Sequence, residues 1–348
     1  MRVAVVGATG NLGTALLRAL AHEPAVTEVV GIARRTPEEQ FAKTRWRTAD
    51  IASDDLTDVF RDVDAVVHLA WLFQPTHDPM TTWRVNAEGS ARVFAAAAAA
   101  GVRTLAYSSS VGAYSPRHDD QPVDESWPTH SLPWAAYGRE KAYVERALDA
   151  VEAANPTMRV VRFRPAFVFQ RTAVTEQRRL FGGPLLPGTL LRPGRLPAVP
   201  LPAGLRFQAL HADDVADAFR RALVTDVAGA FNLAAEPIVD ATVLGQVLRT
   251  RTIRLPRRLV RAGVAAAWRL HLVPADAALL DLVLSLPLMD TSRARRELGW
   301  SPQHTSGEAL TEFFEGVADG AGGPTPPLEP DSASSRVHEV GTGVGSHP

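Results

Sequence analysis

Tyr137 and Lys141 stand four residues apart in Tyr137-Gly138-Arg139-Glu140-Lys141, at the start of a segment of helical length and composition. Both side chains therefore share one helix face. A tyrosine hydroxyl with an ordinary pKa near 10 exchanges protons poorly at neutral pH, and a neighbouring ammonium that stabilises the phenolate moves it toward the working range. Upstream, Tyr107-Ser108-Ser109-Ser110 closes a strand-like run. A hydroxyl at that position can hydrogen-bond a carbonyl or an alcohol and orient it for proton exchange with Tyr137. Serines at strand ends also serve as plain turn formers, and the combination with Tyr137 and Lys141 is what lifts these three.

A second constellation lies at the start of the chain. Val3 to Val6 run into Gly7-Ala8-Thr9-Gly10-Asn11-Leu12-Gly13 and then the helix-forming Thr14 to Leu20. A strand ending in a glycine turn that opens a helix offers backbone N–H groups and the positive helix end to a pyrophosphate, while missing Cβ atoms let the ligand approach. The next strand, Val29 to Ala33, ends in Arg34-Arg35. A carboxylate there would bond the adenosine ribose of NAD, whereas an arginine pair suits a 2′-phosphate and favours NADP over NAD. The alternative is two solvated arginines in an arginine-rich chain. Asp50-Ile51 ends the third strand-like run, where it can bond and pack against an adenine or cap the helix that begins near Asp54.

The elements that must position these residues follow from the pattern. Val3 to Val6, Glu28 to Ile32, Ala65 to Leu69, Leu105 to Ser108 and Arg159 to Phe163 are short apolar runs alternating with helical segments, notably Met80 to Ala100 and Trp134 to Ala154. That alternation predicts an α/β fold with a doubly wound parallel sheet. Segment 112 to 133, with four prolines, reads as a long functional loop. Residues 1 to 169 are expected to form the dinucleotide domain and 170 to 318 a smaller, mostly helical substrate lobe from which the chain can recross to the sheet. The Gly/Pro/Ser-rich residues 319 to 348 are expected to form a disordered tail.

The chain has 348 residues, 37 Lys+Arg against 38 Asp+Glu, and no cysteine. Near-neutral charge leaves no global field to gather nucleic acid or an anionic membrane, so any charged ligand must be held by local sites. Without cysteine there is no disulfide scaffold, thiolate metal site or thiol nucleophile. His211-Ala212-Asp213-Asp214 lacks the further ligands of a metal cluster, so no metal is expected, and His68 reads as a core or cofactor-contact residue. Asp276 and Asp281 interrupt the best candidate for a spanning helix, and no signal peptide is apparent, which points to a soluble cytoplasmic protein. Nine arginines between Arg159 and Arg206 suit an anionic substrate or a solvated face, while the interleaved Phe181, Leu185, Leu186, Leu190 and Leu191 suit an apolar one.

Taken together, these residues resemble the extended branch of the short-chain dehydrogenase/reductase family, the NAD(P)-dependent epimerase/dehydratase group. The shared points run from Gly7, Gly10 and Gly13 through His68-Leu69-Ala70, Asn86, the serine run, Tyr137 and Lys141, and Arg164-Pro165 to Leu298-Gly299-Trp300. The resemblance implies a Rossmann-type domain with a smaller C-terminal substrate lobe. It implies Tyr137 as general acid/base, Lys141 lowering its pKa and holding the nicotinamide ribose, and Ser110 as the catalytic hydroxyl. Thr9, Asn11, Leu12, Leu69, Ala70, Asn86, Ser108, Pro165, Phe167 and Val168 are then expected to contact the cofactor, with Asn86 structural or on the proton path. Val111-Gly112 stands where family dehydratases carry an Asp-Glu pair, which disfavours dehydration. The implied activity is an NADP- or NAD-dependent oxidoreductase acting on a small ketone, alcohol or sugar-like substrate. The alternatives are a nucleotide-sugar epimerase with tightly bound NAD and a non-catalytic NAD(P) sensor or docking protein. The alanine-rich helices imply a homodimer.

Overall fold

In β1 (Arg2–Val6) every side chain after Arg2 is buried, as expected of a strand covered on both faces. A computed structural model describes residues 1–74, 76–181, 183, 187–330, 332 and 344. β1 is followed by β2 (Glu28–Ala33), β3 (Thr44–Thr48), β4 (Ala65–His68), β5 (Thr104–Ser108), β6 (Arg159–Pro165) and β7 (Gly229–Leu233). They form one parallel sheet in the order β7-β6-β5-β4-β1-β2-β3. The chain leaves β1 toward β2 and later returns to β4 on its other side, which opens a crevice at the carboxyl ends of β1 and β4.

Helices cover both faces. α1 (Asn11–Ala21) and α5 (Ala212–Val224) pack over Val3, Val5, Phe163 and Phe231, with Trp300 closing that core. On the other face α3 (Gly89–Ala99) and α4 (Ala136–Ala154) bury Phe94, Val144 and Leu148 against Val66, Leu105 and Tyr107. The single helix expected over Met80 to Ala100 is instead α2 (Pro79–Trp83), a π-helical turn over Arg84–Glu88, and α3. The wider turn carries Asn86 into the interior, as such insertions often do near functional residues.

Within residues 170 to 318 the chain recrosses to the sheet through α5 and β7. What remains outside it includes a parallel pair, Ala198–Pro202 with Arg251–Leu255, followed by α6 (Arg257–Arg269) and α7 (Ala277–Ser285). α8 (Ser306–Asp319) begins with a full capping box between Thr305 and Glu308. The tail expected to be disordered from residue 319 is packed through 330: Leu328 and Thr325 are fully buried, and the Thr325 hydroxyl donates to the Thr9 carbonyl at 2.7 Å. Apart from Ser332 and Val344, the remainder of that expected tail, like Leu185, Leu186 and the Phe181 side chain, lies outside the described residues. Among the described residues no helix is long and apolar enough to cross a membrane.

Candidate active site

The glycine turn sits at the mouth of the β1/β4 crevice. Gly7 has φ +85°, and a Cβ there would lie 2.5 Å from the Ala70 nitrogen; a Cβ at Gly13 would lie 2.3 Å from the Gly7 carbonyl oxygen. These two positions admit only glycine, so β1, the Leu69-Ala70 segment and α1 close tightly. At Gly10 the space is open, the nearest atom being 3.6 Å from a built Cβ. Gly10 caps α1 without a side-chain bond, so the leading N–H groups of Asn11, Leu12 and Gly13 and the positive helix end are presented at the crevice. The Asn11 amide oxygen accepts from Gln170 Nε2 at 2.7 Å, and its nitrogen reaches the Val168 carbonyl at 3.4 Å. The segment carrying Pro165, Phe167 and Val168 thereby borders the same crevice.

Arg34 and Arg35 follow β2 and are both exposed. Asp50 shapes a turn: its Oδ1 accepts from Ala52 N at 2.9 Å, and its own N–H donates to Asp54 at 2.9 Å. The helix expected near Asp54 begins later, at Thr57. Ile51 is buried and packs at the position of Gly89, where a Cβ would lie 3.0 Å from its side chain.

The structure separates the three serines. The Ser108 carbonyl accepts from Lys141 Nζ at 2.9 Å, and the Ser109 hydroxyl donates to Glu145 at 2.6 Å. Ser110 Oγ accepts from Gly112 N at 3.0 Å and lies beside Tyr137, where its hydroxyl favours the phenolate. Gly112 makes that approach possible, since a Cβ there would lie 2.8 Å from the Tyr137 ring. Two aromatic residues that sequence reasoning missed wall the site: Phe73 stacks on Tyr137 at 5.5 Å, and Trp71 meets it edge-on at 5.8 Å. Lys141 Nζ lies 3.5 Å above the Trp71 ring.

The direction of the Tyr137 pKa differs from the lowering by Lys141 that the resemblance implies. Burial pushes the Tyr137 hydroxyl up to about 12; the Ser110 hydroxyl works against this shift and the Glu140 charge adds to it. Burial likewise drives Lys141 well below its usual value, opposed by Glu145 and Glu140. Both groups lose water in the same pocket, so each leans to its neutral form. The arrangement can hold a proton on Tyr137 and present it, with Ser110, to one substrate oxygen.

Asn86, expected among the cofactor contacts, has its amide committed elsewhere. It accepts from Leu72 N and donates to Leu72 O and Glu140 Oε2, all at 2.7 Å. It braces the segment that carries Trp71 and Phe73. Beneath the serines, Glu145 and Arg164 form a buried bidentate pair at 2.6 and 2.9 Å. Arg164 continues to the Tyr114 hydroxyl at 2.9 Å, and that hydroxyl donates to Asn232 at 2.7 Å.

His68 is fully buried against Ser90 and Tyr107 and is held neutral, with a pKa near 3 set by burial and the Lys141 charge. The cap of α5 is the His211 ring, rather than Asp213 or Asp214; Asp213 pairs with Arg18, and Asp214 accepts from the backbone of Gln303 and His304. Among the described residues no three His, Asp or Glu side chains converge as a metal site requires. Most of the arginines between Arg159 and Arg206 are engaged. Arg159 holds three carbonyls, Arg162 pairs with Asp149 and Glu152, Arg171 and Arg192 pair with Asp319, and Arg206 pairs with Asp120.

A profile of the family described as NAD dependent epimerase/dehydratase matches residues 3–234. A 3-diazoavenalumate denitrifying reductase from a Streptomyces species is 31% identical, over 88% of this chain and 97% of that one. A sterol-4-alpha-carboxylate 3-dehydrogenase (decarboxylating) from Candida albicans is 29% identical over 48% of this chain and 50% of its own. Among solved structures, a UDP-glucose-4-epimerase from Stenotrophomonas maltophila with bound NAD and formylated UDP-arabinopyranose superposes with a TM-score of 0.69. It covers 92% of this chain and 98% of that one at 21% identity, a likeness of fold.

Proposed function

The chain belongs to the NAD dependent epimerase/dehydratase family, and from that premise we propose that it moves hydride between a nicotinamide dinucleotide and a carbonyl or secondary-alcohol carbon while Tyr137 exchanges the proton. It is an enzyme of the NAD-dependent oxidoreductase/epimerase class. The observation that carries the proposal is the convergence of Tyr137, Ser110 and Lys141 at the end of β5, beside a crevice whose mouth is the Gly7 to Gly13 turn. In this reading Thr9 and Gly10 to Gly13 hold the pyrophosphate, Lys141 the nicotinamide ribose, and Leu69, Ala70 and Pro165 to Val168 border the bound dinucleotide. When bound, the nicotinamide supplies or accepts the hydride. Tyr137 gives its hydroxyl proton to the substrate oxygen in reduction and takes it back in oxidation, with Ser110 donating a hydrogen bond to the same oxygen.

The substrate is an uncharged or weakly charged ketone or alcohol. Phe73 and Trp71 surround Tyr137, and an apolar cluster of Val111, Leu132, Leu282 and Met289 continues the wall. Of the arginines between 159 and 206 that could greet a diphosphate, Arg162, Arg164, Arg171, Arg192 and Arg206 are paired with carboxylates and Arg159 is held by carbonyls. Identifying the co-purifying cofactor by mass spectrometry separates the alternatives: an epimerase retains NAD(H) and needs none added, a reductase consumes NADPH stoichiometrically, and a sensor binds without turnover.

NADP is the preferred cofactor, through Arg34 and Arg35. NADPH is expected to bind about tenfold more tightly than NADH, and Arg34→Ala with Arg35→Ala to remove most of the difference. Equal or tighter NADH binding in the native protein sinks this assignment. The α2–α3 and α4 face is assigned to a homodimer: Met80, Trp134 and Tyr143 are 57%, 60% and 44% exposed there. Light scattering is expected to give twice the chain mass at micromolar concentration, and a monomer mass rejects the pairing.

A further inference from the structure

From residue 241 to residue 275 the chain contains seven arginines and no Asp or Glu. The near-neutral total conceals this segment, because the compensating carboxylates lie elsewhere in sequence. It folds as a helix over Ala241–Val247, the strand Arg251–Leu255 and α6, and all seven arginines (249, 251, 254, 257, 258, 261 and 269) are exposed. Asp281 of α7 meets Arg257 and Arg261 at 3.3 and 2.8 Å.

α6 has a second property. None of its 13 residues is buried, although it contains Leu259, Val260, Val264 and Trp268. An isolated helix of this length is marginal in water and is normally stabilised by burying an apolar face. Leu259, Gly263, Ala266 and Leu270 recur at i, i+4, i+7 and i+11 along one exposed stripe. Leu259 is 66% exposed and Leu270 69%, and Ile253 on the preceding strand is exposed as well. Arg258 and Arg269 flank the stripe.

We propose that this face docks on an anionic lipid surface, with the leucine stripe entering the headgroup boundary and the arginines meeting the lipid phosphates. An apolar ridge edged by arginines is the pattern of a helix lying in an interface plane, and clustered cations draw such a helix to anionic lipid. A second copy of the chain is a poor occupant, since a symmetric contact through the stripe would bring Arg258 and Arg269 of one helix against those of the other. Nucleic acid uses the cations and leaves the exposed leucines without a role. On the opposite side of α6, Trp268 stacks on His77 at 4.1 Å and its indole nitrogen donates to Thr76 at 3.1 Å, which seats the helix with the leucine stripe facing outward.

The test is flotation of the full chain with phosphatidylcholine vesicles, alone or with about 30% phosphatidylglycerol. The chain is expected to float with the anionic vesicles, to remain behind with the neutral ones, and to dissociate as salt is raised. Leu259→Glu with Leu270→Glu is expected to cut binding about tenfold or more, with far-UV circular dichroism and cofactor affinity unchanged, and Arg258→Glu with Arg269→Glu to do the same. Failure to float with anionic vesicles overturns the proposal. Full binding by the leucine variants, with heparin competing, also overturns it and marks the face as a polyanion site instead.

Discussion

Replacing Tyr137 with Phe is expected to lower turnover by about 10²–10⁴-fold, the range lost with a general acid/base, while dinucleotide affinity stays within about twofold. The ring is held by Phe73 and Trp71 and faces Gly112, so removing one oxygen disturbs neither fold nor cleft. Steady-state rates with a fluorescence titration of the cofactor check both halves. Unchanged turnover in this variant overturns the mechanism. The pH profile carries a sign as well. Burial pushes the hydroxyl up to about 12, so the protonated form dominates throughout the neutral range. Reduction, which consumes that proton, is expected to be flat from mildly acidic to mildly alkaline pH. Oxidation, which needs the phenolate, is expected to rise with pH across the same interval.

The second large effect concerns stability. Arg164→Met leaves Glu145 buried, with Ser109 as its remaining described hydrogen-bond partner, and is expected to cost about 3–5 kcal/mol, measurable as a lower urea midpoint at unchanged slope. Arg164→Met combined with Glu145→Leu is expected to recover much of the loss, since a well-packed apolar pair avoids the stranded charge. If the single variant matches the native midpoint, the pair is not a structural requirement. The pH sign follows from Glu145. Burial opposes its charge, but the Arg164 pair and the Ser109 bond hold its carboxyl below the usual range. Its contribution is therefore complete above the unfolded carboxylate pKa, near 4.3, and is lost as pH falls through the lower folded value.

Much of the site was legible because its signals are local. The strand, glycine turn and helix over residues 3 to 20 are contiguous, and Tyr137 and Lys141 are fixed by one helical turn. Contributions from distant parts of the chain were not legible. Trp71 and Phe73 reach Tyr137 only because Asn86, on an unforeseen π-helical turn, braces Leu72 from within. That placement dries the pocket and reverses the expected direction of the Tyr137 pKa. Thr325 meets Thr9 across 316 residues, a contact with no periodicity or motif to announce it. The arginines between 159 and 206 left an anion site and a solvated face equally open in sequence because their partners, Asp149, Glu145 and Asp319 among them, lie on other elements.

In the proposed mechanism this cleft passes hydride to a carbonyl carbon while Tyr137 supplies the proton. The most direct measurement supplies NADPH deuterated at the transferring C4 position with a panel of small ketones and locates the label in the alcohol product by mass spectrometry and NMR. Deuterium is expected on the former carbonyl carbon of the alcohol formed by the native chain, and no such product from Tyr137→Phe. An alcohol product without deuterium at that carbon, or labelled product formed equally well by Tyr137→Phe, would contradict that mechanism.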